Sequence, residues 1–156
     1  MRVLMVCLGN ICRSPLAEGV LRKQAQDAGV SVQVDSCGTA NYHVGEAPDP
    51  RSVKKAREHG IDISSLKGRQ FSVLDFDHFD RIFVMDTQNY KDVVAKARTL
   101  EDIEKVQLMM SSVYPNEKIN VPDPYYGDYD GFEEVYQMLS KACSLFLQKA
   151  RVANEG

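Results

Sequence analysis

Little in this chain of 156 residues points toward a membrane, a nucleic acid or a metal ion. No run of apolar residues approaches the ~20 needed to span a bilayer, and the first residues enter an apolar segment with no signal-type core or cleavage site. Positive charge is not in excess. The 19 Lys and Arg stand against 22 Asp and Glu, a net of −3, so no global field recruits nucleic acid or an anionic surface, and any anion site must be local. Tryptophan is absent, and the three histidines, His43, His59 and His78, form no HExxH or Cys/His zinc pattern. The four cysteines, Cys7, Cys12, Cys37 and Cys143, lack both CxxC pairing and the density of a secreted disulfide scaffold. That usage fits a reducing, cytoplasmic compartment. No internal repeat or low-complexity segment breaks the chain, whose length suits one domain over 1–156.

What is there is concentrated near the start, in Cys7-Leu8-Gly9-Asn10-Ile11-Cys12-Arg13 followed at once by Ser14-Pro15. The preceding Val3-Leu4-Met5-Val6 reads as a buried strand, and Pro15 is placed to begin a helix. If residues 8 to 13 curl around one point, their N–H groups converge as an anion nest, and the positive end of the following helix dipole adds to the same field. A sulfur at Cys7 under that field is favoured as thiolate, the nucleophilic form. Arg13 closes the ring: its planar fork can hold two oxygens of a tetrahedral phosphate and tighten as the phosphorus flattens in the transition state. A core cysteine and an incidental arginine are the bland alternative.

Beyond that loop the pattern alternates. Strands are expected at Arg2 to Cys7, Val32 to Ser36, Arg81 to Met85 and Val106 to Met109. Helices are expected at Pro15 to Ala28, Asp49 to Glu58, Thr87 to Leu100 with Thr87 as cap, and Phe132 to Ala150, with fraying over the last residues. Strands separated by helices predict an α/β fold: a doubly wound, four-stranded parallel sheet with helices on both faces and a phosphate-binding loop after the first strand. Ligands of such sheets lie beyond the carboxyl ends of strands, which is where Cys7 falls.

Several residues carry two readings. Asp123, in Val121-Pro122-Asp123-Pro124, is either an ordinary Pro-Asp-Pro turn residue or an acid presented by a stiffened loop to a leaving group. Asp86 is either a partner of Arg13 or a carboxylate at a helix start. Cys12 shares the tight loop with Cys7 and could capture an oxidised Cys7 as a disulfide, giving reversible redox control. Cys37 and Cys143 read as small buried hydrophobes. Asp123, Asp128 and Asp130 lack calcium-loop spacing, and the latter two read as solvated loop charges.

The run from Cys7 to Pro15 resembles the signature loop of the low-molecular-weight protein tyrosine phosphatases. Ser36-Cys37-Gly38-Thr39, Val44-Gly45 with Pro48-Asp49-Pro50-Arg51, His59-Gly60-Ile61, Arg69-Gln70, Val84-Met85-Asp86 and Asp123-Pro124-Tyr125-Tyr126 follow in order at family-like spacing, so the resemblance covers nearly the whole chain. It implies a protein tyrosine phosphatase in which Cys7 attacks phosphorus, Arg13 stabilises the transition state and Asp123 serves as general acid and then general base. By the same resemblance Leu8, Gly9, Asn10, Ile11, Cys12 and Ser14 surround the phosphate. Ser14 donates a hydrogen bond to the Cys7 thiolate, Asn10 and Ser36 hold the loop in its backbone conformation, and Asp86 holds Arg13. Tyr42, Tyr125, Tyr126 and Leu8 are the implied walls around a phenyl ring. The implied partners are phosphotyrosine proteins, a tyrosine kinase among the candidate substrates, and inorganic phosphate or another oxyanion at the loop, with neither nucleic acid nor membrane. No cofactor or metal is called for, since Arg13 and backbone donors supply the charge stabilisation. In relatives from higher organisms the Tyr125-Tyr126 pair can itself be phosphorylated.

The chain departs from the family pattern in places: Leu66 stands where a histidine is frequent, Gly68 and Cys37 where alanine is, and Tyr42 where many relatives place tryptophan. Bacterial relatives acting on phosphoarginine tend to carry threonine at the position of Ile11, whose bulk argues against that substrate. A thiol-dependent arsenate reductase would need two further cysteines between Cys37 and Cys143, and there are none. A phosphopeptide-binding module would keep the nest and Arg13 but need neither Cys7 nor Asp123.

Overall fold

The computed structural model of the protein describes residues 1–155, with side chains through Val152. Four strands, β1 (Arg2–Cys7), β2 (Gln33–Gly38), β3 (Arg81–Val84) and β4 (Val106–Leu108), form one sheet in the order β2-β1-β3-β4. Every pairing is parallel, with Cys7 opposite Gly38 and Val6 opposite Val84.

The central position of β1 explains its unbroken apolar run. Val3, Met5 and Cys7 face a cluster with Leu16, Val20 and Leu21 of α1 (Arg13–Ala28) and with Val135, Leu139 and Phe146 of α6 (Asp130–Glu155). Leu4 and Val6 face a second cluster with Phe76 of α3 (Asp75–His78) and Val93 of α4 (Thr87–Val94). Both faces of the sheet are covered, as a parallel sheet requires, and the expected doubly wound α/β architecture is what the chain adopts.

Several boundaries differ from the sequence reading. The first helix begins at Arg13, two residues before Pro15. First-turn N–H groups have no intrahelical acceptor, so a proline is tolerated anywhere in that turn and does not by itself mark the start. β2 runs on through Cys37 and Gly38, because its pairing continues as far as Cys7. β3 ends at Val84 and β4 at Leu108, each one residue short of the expected limit. Asp49 is the cap of α2 (Pro50–Glu58), its carboxylate accepting from the Arg51 N–H, and is not its first residue. The expected helix from Thr87 to Leu100 is two, α4 and α5 (Leu100–Glu104), the second capped by Thr99. The cap of α4 is Asp86, which accepts from the Asn89 N–H, and Thr87 is its first residue. α3 and two single 3-10 turns, Met109–Ser112 and Pro124–Tyr126, carried no periodic signal. The last helix extends beyond the expected Phe132 to Ala150 at both ends, and fraying past Glu155 lies outside the described residues. No helix among the described residues is long and apolar enough to cross a membrane.

Candidate active site

Cys7 ends β1 at the carboxyl edge of the sheet, and the chain then turns through residues 8–12 into α1. Asn10 holds φ at +58°, the single non-glycine residue with positive φ among those described. Asparagine is among the few L residues that tolerate this left-handed region. Its amide is fully used there: Nδ2 donates to Ser14 Oγ at 2.7 Å and to Ser36 Oγ at 3.0 Å, and Oδ1 accepts from the Arg69 N–H at 3.1 Å. Gly38, opposite Cys7, has no room for a side chain, since a Cβ would come within 2.7 Å of the Leu8 carbonyl oxygen.

The loop's carbonyls and amides are treated differently. The carbonyls of Cys7, Leu8, Ile11 and Cys12 accept from Thr39 N–H, Ala40 N–H, Asp49 N–H and Ser52 Oγ respectively. Among the described residues, no backbone or side-chain acceptor meets the N–H groups of residues 8–12. Cys12, in the cap position of α1, places no side-chain acceptor on the helix's first amides, and that first turn has no acidic residue. A row of unused donors at the positive end of a helix suits an anion.

Cys7 Sγ lies 3.0 Å from Ser14 Oγ. Because Asn10 donates into that oxygen, the hydroxyl proton is available to the sulfur, with the Cys37 carbonyl as a longer alternative at 3.3 Å. Arg13 is buried, its Nη1 donating to Asp86 Oδ2 at 2.7 Å and to the Val121 carbonyl at 3.0 Å. Its Nη2 stands 3.6 Å from Asp123 Oδ2. Burial opposes the guanidinium's charge, but Cys7, Asp86 and Asp123 more than offset it and hold its pKa above the ordinary value. Asp86 thus fills both roles open from sequence, one oxygen capping α4 and the other holding Arg13. Burial, reinforced by the Asp49 carboxylate and Cys7, pushes the Cys12 thiol well up. Burial also pushes Cys37 well up and Cys143 up to about 12, in keeping with their reading as buried hydrophobes.

These groups share one pocket of about 260 Å³, lined by Cys7, Leu8, Gly9, Ile11, Cys12, Arg13, Tyr42, His43, Asp123, Tyr125 and Tyr126. Ser36 and Asp86, expected to support the site, are not among its lining residues, and neither are Asn10 and Ser14, which were expected to surround the phosphate. Tyr125 and Tyr126 meet edge to face with ring centroids 5.0 Å apart, and Tyr126 is 86% exposed. A larger groove of about 870 Å³ lies elsewhere, bordered by Leu108 and Phe146, but its lining holds no thiol, histidine or aspartate. The described residues contain no group of three His, Cys, Asp or Glu placed to hold a metal ion.

Sequence reasoning missed three contributors. His43 lines the pocket, its Nδ1 2.6 Å from Glu46 and its ring against Gly9. Glu18 is buried, accepting from Ser36 Oγ at 2.6 Å and pairing with Arg22. Ser14, Glu18 and Arg22 stand at steps of four on one helix face, a spacing that was there to be read. The third is Arg51, which joins α2 to the turn carrying Asp123.

The family model for low molecular weight phosphotyrosine protein phosphatase matches residues 2–155. The chain belongs to this family. It is 42% identical to the low molecular weight phosphotyrosine protein phosphatase of Sus scrofa over 151 residues, covering 96% of this chain and 95% of the relative. A crystal structure of a protein tyrosine phosphatase from Entamoeba histolytica superposes with a TM-score of 0.91 at 36% identity, covering 99% of each chain. That of a Drosophila arginine phosphatase superposes with a TM-score of 0.89 at 34% identity, covering 96% of this chain and 98% of the other. As a member of the low molecular weight phosphotyrosine protein phosphatase family, the chain is a cysteine-based tyrosine phosphatase.

Proposed function

We propose that the enzyme hydrolyses phosphotyrosine in proteins, and small aryl phosphates, by way of a phosphocysteine. The observation that carries this reading is the convergence of the Cys7 sulfur, the Arg13 guanidinium and the Asp123 carboxyl group on one pocket whose loop amides lack acceptors. Residues Leu8 to Cys12 offer N–H groups to the phosphate oxygens while Arg13 takes two of them. The Cys7 thiolate attacks phosphorus as the bond to the tyrosyl oxygen breaks, and Asp123 gives that oxygen its proton. The Asp123 carboxylate then takes a proton from water as the water oxygen attacks phosphorus. The P–S bond breaks, and the hydrogen bond from Ser14 eases departure of the thiolate. Inorganic phosphate leaves last. Asp86 keeps the guanidinium aimed, so Arg13 needs no reorganisation as charge develops.

Tyr42, Leu8, Tyr125 and Tyr126 form apolar and aromatic walls that suit a phenyl ring at the end of a long arm. The bulk of Ile11 in the lining favours that ring over the guanidinium of phosphoarginine, on which the Drosophila relative's name bears. The test is phosphate release from paired phosphotyrosine and phosphoarginine peptides in the presence of a chelator, with Cys7→Ser in parallel. Turnover of phosphotyrosine by the parent alone is expected. Normal turnover by Cys7→Ser would remove the nucleophile assignment, and preference for phosphoarginine would move the substrate class.

Cys12 is the resolving thiol in this reading, and the location is cytoplasmic, in keeping with four unpaired cysteines. Peroxide converts Cys7 to its sulfenic acid; the Cys12 thiol then displaces water to form a Cys7–Cys12 disulfide that a dithiol reductant reopens. After enough peroxide to carry an unprotected sulfenic acid on to the sulfinic acid, the parent should recover activity with dithiothreitol, and Cys12→Ser should not. Equal recovery by both would remove this role.

A further inference from the structure

Asp123 sits on a turn with few ties to the rest of the molecule. Among the described residues, the segment 123–127 has hydrogen bonds outside itself only through the carbonyls of Tyr125 and Gly127, and both accept from Arg51: Nη2 to Tyr125 at 3.1 Å and Nη1 to Gly127 at 3.4 Å. The guanidinium carbon also lies 5.6 Å from the centre of the Tyr125 ring and 4.8 Å from that of Phe132, within cation–π range of both. Tyr125 N–H in turn donates to Asp123 Oδ1 at 3.0 Å. The Arg13–Asp123 pair at 3.6 Å is the remaining polar tie.

The other side of the same guanidinium faces the nucleophile loop. Arg51 Nε and Nη2 hold the Asp49 carboxylate at 3.1 and 2.9 Å, a fork-to-fork pairing. Asp49 N–H donates to the Ile11 carbonyl at 2.8 Å, and Ser52 Oγ to the Cys12 carbonyl at 3.0 Å, so the start of α2 is pinned to residues 11 and 12. One side chain therefore spans from the loop that carries Cys7 to the turn that carries Asp123. Arg51's bond to Asp49 holds that carboxylate below its usual range, so the joint is an ion pair at neutral pH.

We infer that Arg51 is a positioning residue, setting where the Asp123 carboxyl group stands above the Cys7 sulfur and so acting on proton transfer to the leaving group. A rigid spacer matters here because a misplacement of about 1 Å can cost about 100-fold in a step that depends on alignment. The loss should be selective. A leaving group stable as an anion departs without its proton, so displacing the acid costs it little, whereas a poor leaving group bears the whole effect. This inference rests on Asp123 as the acid, and the experiment separates the two.

The measurement is kcat/KM over a series of aryl phosphates, from dinitrophenyl to unsubstituted phenyl, for the parent, Arg51→Met, Arg51→Lys, Asp123→Asn and the Arg51→Met/Asp123→Asn pair, with Tm recorded for each. For Arg51→Met we expect a loss within about 3-fold for the best leaving group and of roughly 10- to 50-fold for the poorest, part of the 10²–10⁴ that general acid catalysis supplies. Arg51→Lys should recover part of the loss by keeping the charge over Phe132. In the Asp123→Asn background, Arg51→Met should add less than about 2-fold, because the group through which it acts is gone. An equal loss across the series, or full additivity in the double variant, overturns the inference while leaving Asp123 in place. An unchanged leaving-group slope in Asp123→Asn itself removes the acid assignment, and this inference with it. Arg51→Lys keeps the question decidable should Arg51→Met fold poorly.

Discussion

The loop that carries Cys7 and the turn that carries Asp123 line the same pocket and are built on opposite plans. In the first, Asn10, Arg13 and Ser14 are buried polar residues whose partners lie on β2, on the segment before α3 and at the start of α4. The turn around Asp123 is mostly at the surface, with Tyr125 and Tyr126 exposed and Arg51 and Arg13 supplying its polar ties. The two steps of the proposed reaction make different demands. The phosphoryl group must be held in one geometry through attack and hydrolysis, so its donors are best fixed before substrate arrives. The acid's neighbourhood has to admit a tyrosyl side chain, release it and then admit water, which calls for an element drawn from the less stable end of the fold.

Disturbing the rigid side should register in stability as well as in rate, and Asn10→Ala is the sharpest way to do so. Alanine at φ +58° costs about 1–2 kcal/mol, and the Arg69 N–H loses its acceptor inside the protein, for a further 1–3 kcal/mol. A total near 3 kcal/mol corresponds to a fall in Tm on the order of 8 °C for a chain of this size. Activity should fall by more than about 10-fold for every substrate alike, because Ser14 and the loop amides lose their alignment together. Thermal unfolding and kcat/KM on a good and a poor leaving group check both parts. A variant with unchanged Tm but a selective loss on poor leaving groups would reverse the contrast between the two elements.

The same contrast explains what was legible in the sequence. β1, the loop and α1 are contiguous, so Cys7, the proposed nucleophile, the nest and Arg13 are fixed by local spacing, and a strand buried on both faces announces itself as an apolar run. Asp86 stood with two readings because one carboxylate fills both, which no pattern of residue types could reveal. Asp123 was distinguishable from an ordinary turn residue only by resemblance, because its meeting with Arg13 depends on the whole sheet being assembled. Arg51 was passed over for a related reason: it acts through the carbonyls of Tyr125 and Gly127, and carbonyl acceptors leave no trace in the sequence. The break between α4 and α5 has no Gly or Pro to mark it. It follows from Arg98 reaching Asp77 and Asp102 and from Thr99 capping a new helix, one a tertiary contact and the other a cap hidden inside a helix-compatible run.

On the compliant side the smallest effect is expected at Tyr126. With 86% of its surface exposed, its ring contributes little to the core, and its one ring partner among the described residues is Tyr125. Tyr126→Ala should leave Tm within about 2 °C, since surface substitutions away from caps and cores usually stay within about 0.5 kcal/mol. What it removes is a wall. Stacking against an aromatic ligand is worth about 0.5–1.5 kcal/mol beyond burial, which predicts a KM for a phosphotyrosine peptide raised about 2- to 10-fold with kcat nearly unchanged. The effect should vanish for an alkyl phosphate, which presents no ring. Steady-state kinetics on the two substrates decide it: a fall in kcat would mean that Tyr126 helps place Asp123, and that the turn is less tolerant than its exposure implies.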